Sequence, residues 1–222
     1  MRSSTRLALI LVASLLAATA CNAKANPAMP VPAPVVDAPR AASSAHDTAV
    51  LSGGCFWGVQ AVFQHVKGVI NATSGYTGGS AKTAEYETVS TGETGHAESV
   101  EIVYDPSQIT YGELLRIFFS VAHDPTELNR QGPDDGTQYR SAIWYANDGQ
   151  KKIAESYIAQ LDQEKVFSHR IVTQVTPLKQ FYPAEAYHQN YAALHPDNPY
   201  IVFNDAPKVS HLKKEFPDLY AK

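Results

Sequence analysis

Cysteine is almost missing from this chain of 222 residues, where only Cys21 and Cys55 occur. So small a number excludes a disulfide framework and any structural zinc site built mainly from thiolates. Methionine is as scarce. Met1 and Met29 are its two occurrences, so the chain beyond residue 29 offers no thioether to oxidants. Charge of one sign is also lacking: Lys plus Arg number 18 against 22 Asp plus Glu, the net charge is −4, and no basic block stands out. A polyanionic partner has no electrostatic footprint here, which sets nucleic-acid binding aside. Long apolar runs are missing too. The run from Leu7 to Ala20 falls short of the roughly 20 residues that span a bilayer comfortably.

That short run carries an address. Arg2 and Arg6 precede it, Ser14 and Thr19 are its polar members, and it closes on Ala18-Thr19-Ala20. A charged start, an apolar middle and small residues at the end predict a signal peptide over residues 1–20, cleaved after Ala20 or after Ala25. Cys21 follows directly, where bacterial lipoproteins carry their acylated cysteine, although Ala18 stands where Leu is usual. Lipid anchoring at Cys21 and simple cleavage both remain open, and either exports the protein to the periplasm or cell envelope. In such an oxidising compartment a lone thiol needs a chemical reason to persist. Residues 21–47, with Pro27, Pro30, Pro32, Pro34 and Pro39, read as an extended linker without a core of its own.

Residues 48–222 are one domain's worth of patterned sequence. The pattern predicts an α+β fold, with strands near 48–52, 68–76, 97–104, 141–145 and 171–176. Helices are expected at 56–66, 111–122, 148–164 and 184–194. The third is the clearest, because Ile153, Tyr157, Ile158 and Leu161 recur at helical spacing opposite Lys151, Lys152, Glu155 and Gln163. Residues 195–222 are interrupted by proline and are expected to wrap the surface.

Chemistry concentrates at Cys55. Ala49 to Ser52 predicts a strand, Gly53-Gly54 a tight turn, and Cys55-Phe56-Trp57-Gly58 the opening of a helix. A thiol at a helix N-terminus meets unpaired N–H groups and the positive end of the macrodipole, which lower its pKa. Phe56 and Trp57 place two apolar faces beside the sulfur, suited to a small hydrophobic group.

Four stretches in order then carry a family likeness: Gly54-Cys55-Phe56-Trp57-Gly58; Gly95-His96-Ala97-Glu98 running into Val103-Tyr104-Asp105-Pro106; Asn129 through Ser141; and Tyr187-His188-Gln189-Asn190-Tyr191. From about Ala49 to Tyr191 the chain resembles the A-type peptide methionine sulfoxide reductases. The resemblance implies a two-layer sandwich with a ferredoxin-like core and long irregular loops, and reduction of the S epimer of methionine sulfoxide. It implies Cys55 as nucleophile and Glu98 as the acid that protonates the departing oxygen. It further implies Tyr86 and Tyr139 as hydroxyl donors to that oxygen, Asp134 as an organising carboxylate, and Phe56, Trp57 and Gly54 as the substrate pocket. A half-buried strand at 97–104 would desolvate Glu98 and raise its pKa. A methyl pocket alone discriminates by about 1–3 kcal/mol, so the oxygen donors must carry much of the selection against unoxidised methionine. His96, His123 and His188 are assigned structural roles.

No cysteine follows Cys55 in this sequence, whereas many family members resolve the sulfenic acid with a thiol near the C-terminus. The expectation is a one-cysteine enzyme needing no metal or organic cofactor, regenerated by an external thiol such as a thioredoxin-like protein. Its substrates would be oxidised proteins or peptides, and its state a monomer. Two other readings stand beside it: a Cys–His acyl-transfer enzyme with His96 or His188 as base, and a lipid-anchored binding module that uses the Phe56/Trp57 pocket without turnover.

Overall fold

A computed structural model describes residues 30–222; the expected signal peptide and Cys21 lie outside the described residues. In chain order its elements are β1 (Asp47–Ser52), α1 (Phe56–Gln64), β2 (Val69–Thr77), α2 (Tyr86–Val89), β3 (Ala97–Tyr104), α3 (Tyr111–Ile117), β4 (Arg130–Gln131), β5 (Asp134–Asp135), β6 (Ala142–Tyr145), α4 (Asp148–Gln163), β7 (Gln174–Pro177), β8 (Phe181–Pro183), α5 (Tyr191–Leu194) and α6 (Ala206–Glu215). Six strands form one sheet in the order β7-β6-β1-β3-β2-β8, and β4 with β5 makes a separate ribbon. Its centre, β6-β1-β3-β2, is antiparallel throughout, and the connections from β1 to β2 and from β3 to β6 each pass through a helix. This is the split βαβ pattern of a ferredoxin-like core, extended by β7 on one edge and β8 on the other.

The alternation in β3 explains which face is buried. Glu98, Val100, Ile102 and Tyr104 point into the main core with α1, α3, α4 and α6, while Glu101 and Val103 are half-exposed. On the opposite face a small cluster of Val50, Ala97, Ala142, Trp144 and Phe181 is covered by the chain around Leu178. Thr110 closes the start of α3 with a capping box: its hydroxyl accepts from Glu113 N–H, and the Glu113 carboxylate accepts from Thr110 N–H.

Three expectations change. The helix expected over 184–194 is two short turns, Ala186–His188 and α5, separated at Asn190, which takes a left-handed backbone with φ 57°. Gln189 gives the reason. Its side chain accepts from Ser74 N–H and donates to the Ser74 carbonyl, closing the β2 edge in place of a helical hydrogen bond. Secondly, residues 201–222 do more than wrap: a π-helical turn at Ile201–Asp205 leads into α6, which buries Leu212, with Phe216 after it, in the main core. Thirdly, residues 30–46 are extended yet seated on the domain. Val31 is 1% exposed, its N–H donates to Ser120 Oγ, and its carbonyl accepts from Arg116 Nε. Asp37 then accepts from Gly112 N–H at the start of α3, and Arg40 pairs with Glu113.

Candidate active site

Antiparallel pairing brings the end of β1 and the start of β3 to the same end of the sheet. Leu51 pairs with Val100, and Ser52 Oγ lies 2.6 Å from Ser99 Oγ. The chain leaving β1 therefore turns directly beside Glu98. Gly54 makes the turn with φ +90°, and a Cβ there would lie 2.6 Å from Gln131 Cβ, so neither the conformation nor the space admits a side chain. The role of Gly54 visible in the geometry is this turn.

Cys55 is the N-cap of α1, and the first N–H of that helix holds the neighbouring carboxyl. Phe56 N–H donates to Glu98 Oε2 at 3.0 Å, while the Cys55 sulfur at the same helix end makes no side-chain capping hydrogen bond. One helix N-terminus thus brings nucleophile and acid together. Glu98 is 3% exposed, and loss of hydration pushes its pKa up to about 8, with Asp134 and Asp205 adding repulsion and the Phe56 N–H opposing it. Its carboxyl is protonated at neutral pH.

The thiol departs from expectation. Cys55 is 8% exposed and its pKa stands well above the ordinary thiol value, first through desolvation, then through repulsion from the Glu98 and Asp205 carboxylates when these are ionised. The Trp57 N–H and the Lys208 ammonium pull in the other direction without prevailing. A helix N-terminus lowers a thiol pKa only where burial does not outweigh it, and here burial wins.

Tyr86 opens α2 and Tyr139 ends a short turn, Thr137–Tyr139; burial first of all holds both hydroxyls protonated, and repulsion from Glu98 and Cys55 adds to it once these ionise. Asp134 lies on β5 and accepts a hydrogen bond from the Tyr200 hydroxyl, while its own pKa is raised by desolvation. Tyr86, Tyr139 and Asp134, expected from the resemblance to organise the oxygen, all lie close enough to Glu98 for their charges to act on one another. Phe56 is fully buried against Tyr76 and His188, and Trp57 stacks on Tyr191 with ring centroids 3.8 Å apart.

His96 and His123 serve loops. His96 accepts from Gly79 N–H and donates to the Ser80 carbonyl; His123 bridges the Phe118 carbonyl and Ser141 Oγ. His188 is different, because its Nδ1 accepts from Trp57 Nε1 at 3.2 Å and its ring lies against Phe56 and Tyr86. It supports the walls of the site. Among the described residues no histidine hydrogen-bonds the Cys55 sulfur, as a Cys–His nucleophile would require, and no three His, Cys, Asp or Glu side chains are grouped for a metal ion.

Three contributors escaped the sequence. Tyr200, Asp205 and Lys208 all come from the segment after Leu194, which local patterns leave featureless. The one local signal for them is the i, i+3 spacing of Asp205 and Lys208, which pair in the structure.

Comparison with known proteins agrees with this site. Residues 47–219 match the family model described as peptide methionine sulfoxide reductase. The chain belongs to that family. It is 62% identical over 181 residues to peptide methionine sulfoxide reductase MsrA 2 of Mesorhizobium japonicum, covering 82% of this chain and 93% of that one. Against MsrA 2 of Synechocystis the identity is 50% over 190 residues, with 85% and 89% covered. Among solved structures, methionine sulfoxide reductase A of Corynebacterium diphtheriae superposes with a TM-score of 0.60 at 34% identity, covering 79% of this chain and 91% of that one. Reduced Mxr1 of Saccharomyces cerevisiae gives 0.62 at 33% identity, with 69% and 87% covered. The chain is a peptide methionine sulfoxide reductase, with the α+β fold of its relatives.

Proposed function

We propose that this reductase acts on the S epimer of methionine sulfoxide in oxidised proteins and peptides through a one-cysteine cycle. The observation that carries the reading is the shared helix N-terminus, where Phe56 N–H holds a protonated Glu98 beside Cys55. Cys55 sulfur attacks the sulfoxide sulfur as Glu98 gives its proton to the oxygen, which the hydroxyls of Tyr86 and Tyr139 receive as donors, and the proton released from the thiol returns to Glu98. The hydroxyl then passes to Cys55: the substrate S–O bond and the transient S–S bond both break, an S–O bond forms on Cys55 to give the sulfenic acid, and methionine leaves reduced by two electrons. Asp134 keeps the donor set aligned through Tyr200, and the methyl group rests against the Phe56 and Trp57 side. An external thiol then displaces water from the sulfenic acid, and a second thiol frees Cys55. A thioredoxin-like protein would supply both.

The resting thiol is held protonated, so the substrate must itself favour attack. Binding that displaces water and brings the polarised sulfoxide to Glu98 provides that gate. Single turnover tests the cycle. Enzyme mixed with each separated epimer of a sulfoxide peptide, without reductant, should yield one methionine per protein from the S epimer alone and leave Cys55 as sulfenic acid. An intramolecular Cys21–Cys55 disulfide in protein from its host would overturn the one-cysteine reading.

We further propose export through cleavage of residues 1–20, acylation of Cys21 and action as a monomer at the cell envelope. From Cys21 to Pro30 the chain reaches about 30 Å at most, so an acylated Cys21 would hold the docked arm and the domain near the membrane surface. Labelling with a radioactive fatty acid, compared between wild type and Cys21→Ser, tests the anchor.

A further inference from the structure

A buried ion pair lies over the first turn of α1. Asp205 is fully buried, and its Oδ1 accepts from Lys208 Nζ at 3.1 Å; the Lys208 side chain is 17% exposed. The second oxygen, Asp205 Oδ2, has no hydrogen-bond partner among the described residues. Both groups rest on Gly58, where a Cβ would fall on Asp205 Oδ1 and 2.7 Å from Lys208 Nζ. Gly58 is three positions beyond Cys55, on the side of the helix that the N-cap side chain shares. A charge pair seated there needs a glycine beneath it, and an isolated buried pair gains little stability of its own.

We propose that the Lys208–Asp205 pair sets the reactivity of Cys55, Lys208 favouring the thiolate and Asp205 opposing it. Neither group touches the reacting atoms; both are positioning residues. This rests on Cys55 being the nucleophile. The groups that act on Cys55 are Glu98 from β3, Tyr86 from α2, Tyr139 and Tyr200 from the loops, and this pair, with Asp134 facing Glu98. Lys208 is the one cation among them. Its charge also acts on Asp134 and on His123. When Cys55 ionises beside a protonated Glu98, Lys208 is the available counter-charge. Asp205 holds the ammonium in place and limits how much of its charge the sulfur feels, which keeps the resting thiol unreactive.

The test is iodoacetamide alkylation of Cys55 against pH in the full chain, read at the Cys55 peptide by mass spectrometry, so turnover is not needed and loss of activity cannot be mistaken for loss of this effect. Lys208→Met should slow alkylation about tenfold at a fixed pH below the midpoint, the equivalent of a shift of about one unit. Asp205→Asn should speed it by a similar factor, and Lys208→Arg should stay within about twofold of wild type. Opposite signs separate the proposal from loosened packing, because exposure of the thiol would speed alkylation in both. If Lys208→Met does not fold, Lys208→Gln takes its place with the same expected direction. Equal rates in all variants, or acceleration on removing the Lys208 charge, would overturn it.

Discussion

Glu98 keeps its proton at neutral pH because water is excluded from it and a single N–H is its hydrogen-bond donor. That arrangement ties activity to stability with opposite signs. The folded carboxyl binds its proton more tightly than the unfolded one, so its contribution to stability is complete below about pH 4.5 and is lost as pH rises through about 8. Glu98→Gln preserves an oxygen for the Phe56 N–H and removes the ionisation. The variant should lose about 100-fold or more in kcat. Above pH 8 it should gain stability over wild type, on the order of 4 kcal/mol, with no gain near pH 4. Urea unfolding at the two pH values, beside single-turnover rates, checks both. His123 runs the other way. It is buried and neutral, with a pKa lowered from 6.5 to about 4 mainly by desolvation. Its folded form binds protons less readily, so stability should fall as pH drops from about 6.5 through about 4. His123→Asn should flatten that part of the profile in thermal melts, by on the order of 3 kcal/mol. Both residues were visible in the sequence, but only Glu98 stood in a motif that told its role.

At the scale of elements, the N-terminus of α1 is the working part, and its sequence reads as a helix with an awkward glycine inside. Gly58→Ala should stabilise an isolated helix by about 1 kcal/mol. In this fold the added methyl would meet the Asp205 carboxylate and the Lys208 ammonium. The expected outcome is therefore a loss of about 1–3 kcal/mol in chemical denaturation. Altered alkylation of Cys55 should accompany it. Similarly, periodicity located α4 well, because its apolar stripe is local. It placed one helix over 184–194, because nothing in those residues shows that Gln189 completes the edge of β2, which lies more than 100 residues earlier.

Across the whole molecule, the arm at residues 30–46 binds the helical layer. Its composition, rich in proline, alanine and valine, indicates an extended chain, and extended it is. Composition could not show that Val31 enters the core, or that Tyr157 donates to the Pro32 carbonyl. Val31→Ala should cost about 1 kcal/mol. Val31→Asp should cost about 3 kcal/mol and free the arm for proteolysis. Thermal melting with limited proteolysis of both variants tests the docking, and sulfoxide reduction should persist in Val31→Ala. The chain thus gains packing from a stretch whose pattern resembles a tether.

The sequence by itself determined the family and the split βαβ succession, and its motifs pointed to Cys55 and Glu98, because those are written in contiguous motifs and in local hydrophobic period. Tertiary structure decided how those groups behave. It raised the Cys55 thiol by burial, against the helix dipole that the motif suggests. It brought Tyr200, Asp205 and Lys208 from about 150 residues away to the same helix turn. It also turned a proline-rich spacer into part of the core. The physical reason is common to all three. Hydration and through-space charge depend on what packs against a group, and those neighbours come from distant parts of the chain.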